Sequence, residues 1–236
     1  HPPIDRGVRT RCSDDYLWLP LAACRYLDAT GAESVLDVPV GFIEGRPLGA
    51  DEESYYDLPI PSVRQASFYD HCVLALQRGM ALLGERGLPL MGSGDWNDGM
   101  NRVGRGGRGE SVWLGFFLYD VLQRFAPVAA ARGDETVAAA CADAAQALQR
   151  NLEAHAWDGG WYRRAWFDDG TPIGSKTSEE CRIDSISQSW SVLSAAADPV
   201  RARQAMEALD THLVKREAGL VQLLEPPFDR TSHDPG

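Results

Sequence analysis
Apolar residues recur at helical spacing along much of the chain, and the breaks between these runs carry residues that start and stop helices. From Asp14 to Thr30, Leu17, Leu21, Cys24 and Leu27 share one face, with Ser13 as N-cap and Gly31 as the stop. Pro20 either bends this helix or marks a late start. Residues 35 to 61 hold prolines, glycines, acids and Tyr55-Tyr56 with no sustained period, which predicts a long ordered loop. A second helix is predicted from about Val63 to Arg86, closed by Gly87. A third begins near Glu110 and carries Trp113, Leu114, Phe117, Leu118, Val121, Leu122 and Phe125, a face wide enough that it must be buried, before Pro127 and Gly133 punctuate it.

Asp134 caps a fourth helix with Val137, Cys141, Ala144, Ala145, Leu148 and Leu152 on one side, ending near Trp157. Trp161 to Phe167 alternates bulky and basic residues, as a small hairpin does. Asp184 to Ala197 reads as helix, and Asp198-Pro199 opens a last helix that runs to about Glu217, with Gly219 at its end. The pattern amounts to six helices and almost no strand. Long and short connections between successive helices suggest hairpins side by side, with a cleft formed by the loops at one end.

Composition narrows the function. With 236 residues and 44% hydrophobic content, the chain can bury one substantial core. A net charge of -11 with scattered Arg and Lys argues against a nucleic-acid partner and favours neutral or weakly charged ligands. Cys12, Cys24, Cys72, Cys141 and Cys181 form an odd set without a CxxC pair, so neither a disulfide framework nor a metal site is signalled, and a reducing compartment is expected. No apolar run approaches the roughly 18 to 20 residues of a membrane helix, and the start lacks signal-peptide character, so a soluble chain is expected.

Candidate chemistry concentrates in Gly92-Ser93-Gly94-Asp95-Trp96-Asn97-Asp98-Gly99-Met100-Asn101. An indole offers a flat face for a pyranose ring, amides and carboxylates reach its hydroxyls, and a carboxyl shielded by tryptophan can stay protonated. The plainer alternative is an Asx-turn loop capping a helix. Arg9 or Arg11 paired with Asp15 would give donors and acceptors for sugar hydroxyls, although Ser13, Asp14 and Asp15 also suit a helix start. Glu179, Glu180 and Asp184 near Arg182 make a second acidic group, with Gln188 and Trp190 following. Gly104-Arg105-Gly106-Gly107-Arg108-Gly109 matches GxGxxG without a βαβ context; it is a plain connection or a basic loop that closes over a sugar or guides an anion. His71 and His155 lie on apolar helices as packed or surface residues. No GxSxG elbow or HExxH pair occurs.

Five blocks in order resemble glycoside hydrolase family 94: Arg9 to Asp15 with Leu17-Trp18-Leu19-Pro20; Gly94 to Asn101; Gly109-Glu110-Ser111-Val112-Trp113-Leu114-Gly115; Cys181 to Trp190; and Pro226-Pro227-Phe228-Asp229. That family holds cellobiose and chitobiose phosphorylases and the C-terminal region of cyclic β-1,2-glucan synthases, and the Asn-Asp-Gly-Met-Asn run looks most like the synthase branch. The resemblance implies an all-α fold of helical hairpins, with residues 1–236 forming part of a single (α/α)6 toroid whose remaining helices and β-sandwich lie outside them. It implies that Asp98 is the general acid, that Trp96 contacts the sugar whose bond breaks, and that Arg9 and Asp15 hold the non-reducing sugar, with Arg11, Asp95, Asn97 and Gln188 as further substrate contacts. It implies no cofactor beyond inorganic phosphate as co-substrate, a β-glucan oligosaccharide as substrate, and the rest of a larger synthase or phosphorylase polypeptide as partner. A homodimer and a cytoplasmic location, as a free chain or the cytoplasmic part of an inner-membrane protein, complete the expectation. The family's phosphate-binding histidine and Gly-Gly-Gln motif follow the Pro-Pro-Phe-Asp block, beyond Gly236, so phosphorolysis is expected of a longer chain. The alternatives are a glucan-binding module that does not cleave, and an inverting hydrolase with Asp95, Glu180 or Asp184 as base.

Overall fold
A computed structural model describes residues 5–49, 52–230 and 233–236, with only the backbone of Asp98. Six α-helices form among the described residues: α1 (Asp15–Thr30), α2 (Phe68–Ala81), α3 (Val112–Ala131), α4 (Glu135–Asn151), α5 (Ser185–Leu193) and α6 (Pro199–His212). Helix α3 is buried on almost every side, which is why its sequence is apolar all round. It packs on α1, α4 and α5, while α2 pairs with α1 and α6 with α5. The odd helices therefore lie side by side, each backed by the even helix that follows it, giving three consecutive hairpins of an (α/α)6 arrangement.

Local signals fixed several helix ends. Gly31, at φ 66°, closes α1 by donating its N–H to Leu27. Asp134, Asp184 and Asp198 accept hydrogen bonds from the first free amides of α4, α5 and α6. Ser13 is not the cap of α1: its N–H and hydroxyl both donate to the Gly94 carbonyl, and Asp14 occupies the cap position with its carboxylate on Trp18 Nε1, 2.8 Å away. Pro20 sits inside α1, so the helix does not start late. Pro127 likewise does not stop α3, which runs on to Ala131.

The strand content differs from expectation. Among the described residues eleven short strands occur: β1 (Gly7–Thr10), β2 (Pro39–Glu44), β3 (Ser54–Asp57), β4 (Ile60–Ser67), β5 (Glu110–Ser111), β6 (Ala165–Trp166), β7 (Pro172–Ile173), β8 (Ile183–Asp184), β9 (Val214–Lys215), β10 (Leu220–Val221) and β11 (Leu224–Glu225). In place of a long loop, β2 pairs antiparallel with β4 and β1 with β3. These ladders are exposed on both faces, with Val63 fully open, so no alternation of apolar and polar residues marks them. Strand β4 also takes Val63 to Ser67 away from α2, which starts instead at a capping box between Ser67 and Asp70. Glu110 and Ser111 pair with β6 before α3 begins, and α6 ends at His212, where the β9–β10 hairpin takes over.

The main core gathers Leu17, Leu76, Trp113, Phe116, Phe117, Phe125 and Leu148 between the helices. Each such side chain, fully buried, stabilises the fold by about 1.5–3 kcal/mol. A second, smaller core of Met91, Met100, Val103, Ala165, Phe167, Ile173 and Cys181, with Leu224 and Phe228 against it, lies beneath the Gly92–Asn101 loop. Among the described residues no helix is long and apolar enough to cross a membrane.

Candidate active site
The Gly92–Asn101 loop is gripped from below by a buried polar cluster. The Asp95 side chain, on a residue only 1% exposed, accepts the Ser111 hydroxyl at 2.8 Å and the Asn97 amide at 3.2 Å, and lies 2.7 Å from Nη2 of Arg164. Arg164 is 0% exposed; its Nη1 also donates to Ser111 at 3.2 Å, and its Nε stands 3.7 Å from Asp184. Burial works against the guanidinium charge, but Asp95 and Asp184 outweigh it and keep Arg164 cationic. Burial pushes the Asp184 carboxyl up to about 6, and the attraction of Arg164 offsets only part of that because its Nη atoms are committed to Asp95 and Ser111.

Above this cluster the chain turns outward. Asn97 accepts the Gly99 amide at 3.0 Å through Oδ1, shaping the one-turn 3-10 helix Asp98–Met100. The side chain of Asp98 lies outside the described residues. Trp96 stands 38% exposed, edge-on to Trp113 with ring centroids 6.4 Å apart, and Trp113 stacks on Phe117. The ring thus leans on the aromatic core while a large part of it stays open to a ligand. Gly92, at φ 62°, meets the backbone of Arg11 so closely that a Cβ would lie 3.0 Å from its carbonyl oxygen, and a Cys12–Gly92 bridge joins the segments.

That bridge brings the Arg9–Asp15 block alongside the loop, but neither Arg9 nor Arg11 pairs with Asp15. Arg9 donates through Nη1 to the carbonyls of Gly45 and Arg46, and Arg11 through Nη2 to Gly49. Asp15 instead accepts the hydroxyl of Thr10. The bonds of Arg9 and Arg11 use one nitrogen of each guanidinium, at 2.6 to 3.1 Å. Arg9 also lines a cavity of about 210 Å³ with Glu44, Tyr55 and Asp57, to which the acid loop contributes nothing. Asn101 ties the far end of the loop to Glu53 at 2.9 Å.

Gln188 is 0% exposed, and its amide is satisfied by the backbone of Tyr162 and Asp184. Gln188 and Asp95 are thus buried and bonded to groups of the protein itself. The three carboxylates considered as a hydrolase base are buried too: Asp95 on Arg164, Asp184 capping α5, and Glu180 accepting the amides of Asp229 and Arg230. His71 bonds the Val40 carbonyl, and His155 is exposed in the π-type turn after α4. The basic GxGxxG loop has no free nest for an anion, since Asp168 receives the amides of Gly106, Arg108 and Gly109 at 2.6 to 2.9 Å. Among the described residues no cluster of His, Cys, Asp and Glu could hold a metal ion.

The five sequence blocks converge on this one place. The first bridges to the loop, the third supplies Ser111, the fourth supplies Asp184, and the fifth follows β11, which pairs with β8, and accepts the Cys181 N–H on the Pro226 carbonyl at 2.8 Å while Phe228 packs against the core below. The sequence as a whole matches the catalytic domain of the glycosyl hydrolase 94 superfamily over residues 3–236. The chain belongs to this family. It is 45% identical to the cyclic β-(1,2)-glucan synthase NdvB of Rhizobium meliloti (strain 1021), covering 100% of this chain and 8% of that protein. It is 33% identical to a solabiose phosphorylase of Paenibacillus borealis and 31% identical to an N,N'-diacetylchitobiose phosphorylase of Vibrio proteolyticus, over 96% and 98% of this chain. It spans 27% and 26% of those two proteins, so it corresponds to a fraction of a glycosyl hydrolase 94 polypeptide. In fold alone it also resembles a family 78 rhamnosidase of Bacillus sp. GL1, at 18% identity, with a TM-score of 0.56 over 85% of this chain and 17% of that one.

Arg164, Ser111 and Asp168 were not singled out from the sequence. The signal for Arg164 was its place inside the bulky segment 161 to 167, where Tyr162, Ala165, Trp166 and Phe167 are all buried. An arginine in such a segment predicts a buried acid partner, but not which one.

Proposed function
We propose that this chain is part of a single (α/α)6 catalytic domain of an inverting glycoside phosphorylase-like module acting on β-linked glucan, with β-1,2 linkages. Asp98 protonates the glycosidic oxygen while inorganic phosphate attacks the anomeric carbon from the opposite face, giving α-glucose 1-phosphate. Trp96 offers its exposed ring to the sugar beside the broken bond, with Asn97 next to it. Arg9, Arg11 and Asp15 supply donors and acceptors for the neighbouring hydroxyls from the bridged segment. The module sets glucan chain length within a larger, cytoplasmically placed synthase polypeptide.

The observation that carries this function is the anchoring of the acid loop. Its first aspartate is locked on Arg164 below while its tryptophan stays exposed above. An inverting hydrolase needs a second open carboxylate to activate water, whereas phosphate is already a nucleophile and one acid suffices. Asp95, Glu180 and Asp184 are buried, which favours the one-acid scheme. The 45% identity to a cyclic β-(1,2)-glucan synthase supports the linkage, and the phosphorylase relatives support phosphate.

The test incubates this chain, and a version extended beyond Gly236, with β-1,2-gluco-oligosaccharides with and without phosphate. Phosphate-dependent glucose 1-phosphate is expected from the extended chain, and Asp98→Asn is expected to lower its formation by about 100-fold or more. Free glucose without phosphate would select a hydrolase. Intact glucan affinity with no product under either condition would select a binding module.

A further inference from the structure
Arg164 is an expensive residue to hold where it is. Taking a guanidinium and a carboxylate fully out of water costs several kcal/mol per ion, and well-packed apolar residues in place of a buried ion pair often stabilise a protein. Here one guanidinium meets two carboxylates, Asp95 and Asp184, with no exposed surface on Arg164. Stability alone gives little reason for such a set.

Its geometry gives another. Arg164 is fixed on both sides by backbone bonds, its N–H to Ile173 at 2.8 Å and its carbonyl to the N–H of Val112 at 3.0 Å. From that rigid base, Nη1 reaches Ser111, which caps α3, Nη2 reaches Asp95, and Nε faces Asp184, which caps α5. Asp95 in turn holds the Asn97 amide, and Asn97 holds Gly99, inside the turn that begins at Asp98. The bonded path from guanidinium to acid turn therefore runs Arg164, Asp95, Asn97, Gly99. It also joins the loop to the start of α3 by hydrogen bonds through Ser111 and to the start of α5 by the charge contact with Asp184.

We propose that Arg164 is a positioning residue for Asp98: through Asp95 and Ser111 it fixes the acid turn where the carboxyl can deliver its proton to the leaving oxygen. This rests on the assignment of Asp98 as general acid. Arg164 touches neither sugar nor phosphate, so its loss acts on proton delivery and leaves binding alone.

The experiment measures phosphorolysis by the full-length protein with two substrates: a β-1,2-gluco-oligosaccharide, and 2,4-dinitrophenyl β-glucoside, whose leaving group departs without a proton. Arg164→Lys keeps the charge but cannot reach Asp95 and Ser111 together. It is expected to lower kcat on the oligosaccharide by about 100-fold, with KM and turnover of the dinitrophenyl glucoside each within about threefold of the unaltered protein. Equal loss on both substrates, or no loss on either, overturns the proposal. Asp98→Asn run in parallel separates the two ideas. Full oligosaccharide turnover by Asp98→Asn overturns the acid assignment and the positioning role with it, whereas inactive Asp98→Asn beside fully active Arg164→Lys overturns the positioning role alone. If Arg164→Lys fails to fold, Ser111→Ala removes the hydroxyl that joins Arg164 to Asp95 and caps α3. It is expected to show the same contrast between substrates at about fivefold, and its absence overturns the proposal.

Discussion

Two glycine-rich loops follow one another, Gly92–Asn101 and Gly104–Gly109, and both close around an aspartate carboxylate. In the first the carboxylate, Asp95, belongs to the loop and points into the dry interior onto Arg164 and Ser111. In the second it comes from elsewhere: Asp168, between β6 and β7 and only partly buried, reaches in to collect three loop amides. The outcomes are opposite. The first loop is pinned from below and turns Trp96 outward, while the second has its backbone donors already occupied. Gly109 shows how tightly the second is filled, since a Cβ there would lie 2.6 Å from the Val103 carbonyl oxygen. Glycine in a loop reports backbone freedom, and whether the freed amides serve a ligand depends on which side chain reaches them first.

The contrast can be broken most directly at its dry end. Asp95→Ala leaves Arg164 buried with Asp184 as its remaining acidic partner, 3.7 Å away, and is expected to lower stability in urea denaturation by about 3–5 kcal/mol. A loss as small as that of an exposed pair would mean that the cluster is wet. A second test uses pH. The folded-state value of Asp184, about 6, lies above the ordinary 3.8, so its protonated form favours the fold; that contribution is complete below 3.8 and is lost as pH rises through about 6. Melting temperatures of the unaltered protein relative to Asp184→Asn are therefore expected to fall between those limits, and a rise would show that Arg164 stabilises the ionised form instead. The smallest effect belongs to the wetter loop. Asp168→Ala is expected to cost about 1 kcal/mol, because water replaces much of what the carboxylate gave, with faster hydrogen exchange at Gly106, Arg108 and Gly109.

What could be read in advance follows the range of the forces involved. All six helices were legible because 3.6-residue periodicity and caps such as Asp134, Asp198 and Gly31 act within a turn or two of chain. The acid loop stood out because its residue types are unusual side by side. The β2–β4 ladder was not legible, since its strands are exposed on both faces and carry no hydrophobic period. Ser13 looked like a cap by local rules, and the Gly94 carbonyl, 81 residues away, claimed it instead. The Gln188 amide is held by the Tyr162 backbone, 26 residues off, which no local pattern reports.

The helices, the ordered family blocks and the chemistry available in the loop are written in the order of residues, because each depends on neighbours along the chain. Long-range packing is what turns Asp95 inward, fills the second loop with Asp168, and lets Arg164 join a loop 69 residues away to a serine 53 residues away. The physical reason is that a charge can be buried only where its partner already stands, and that partner is set by packing at a distance no local pattern reports.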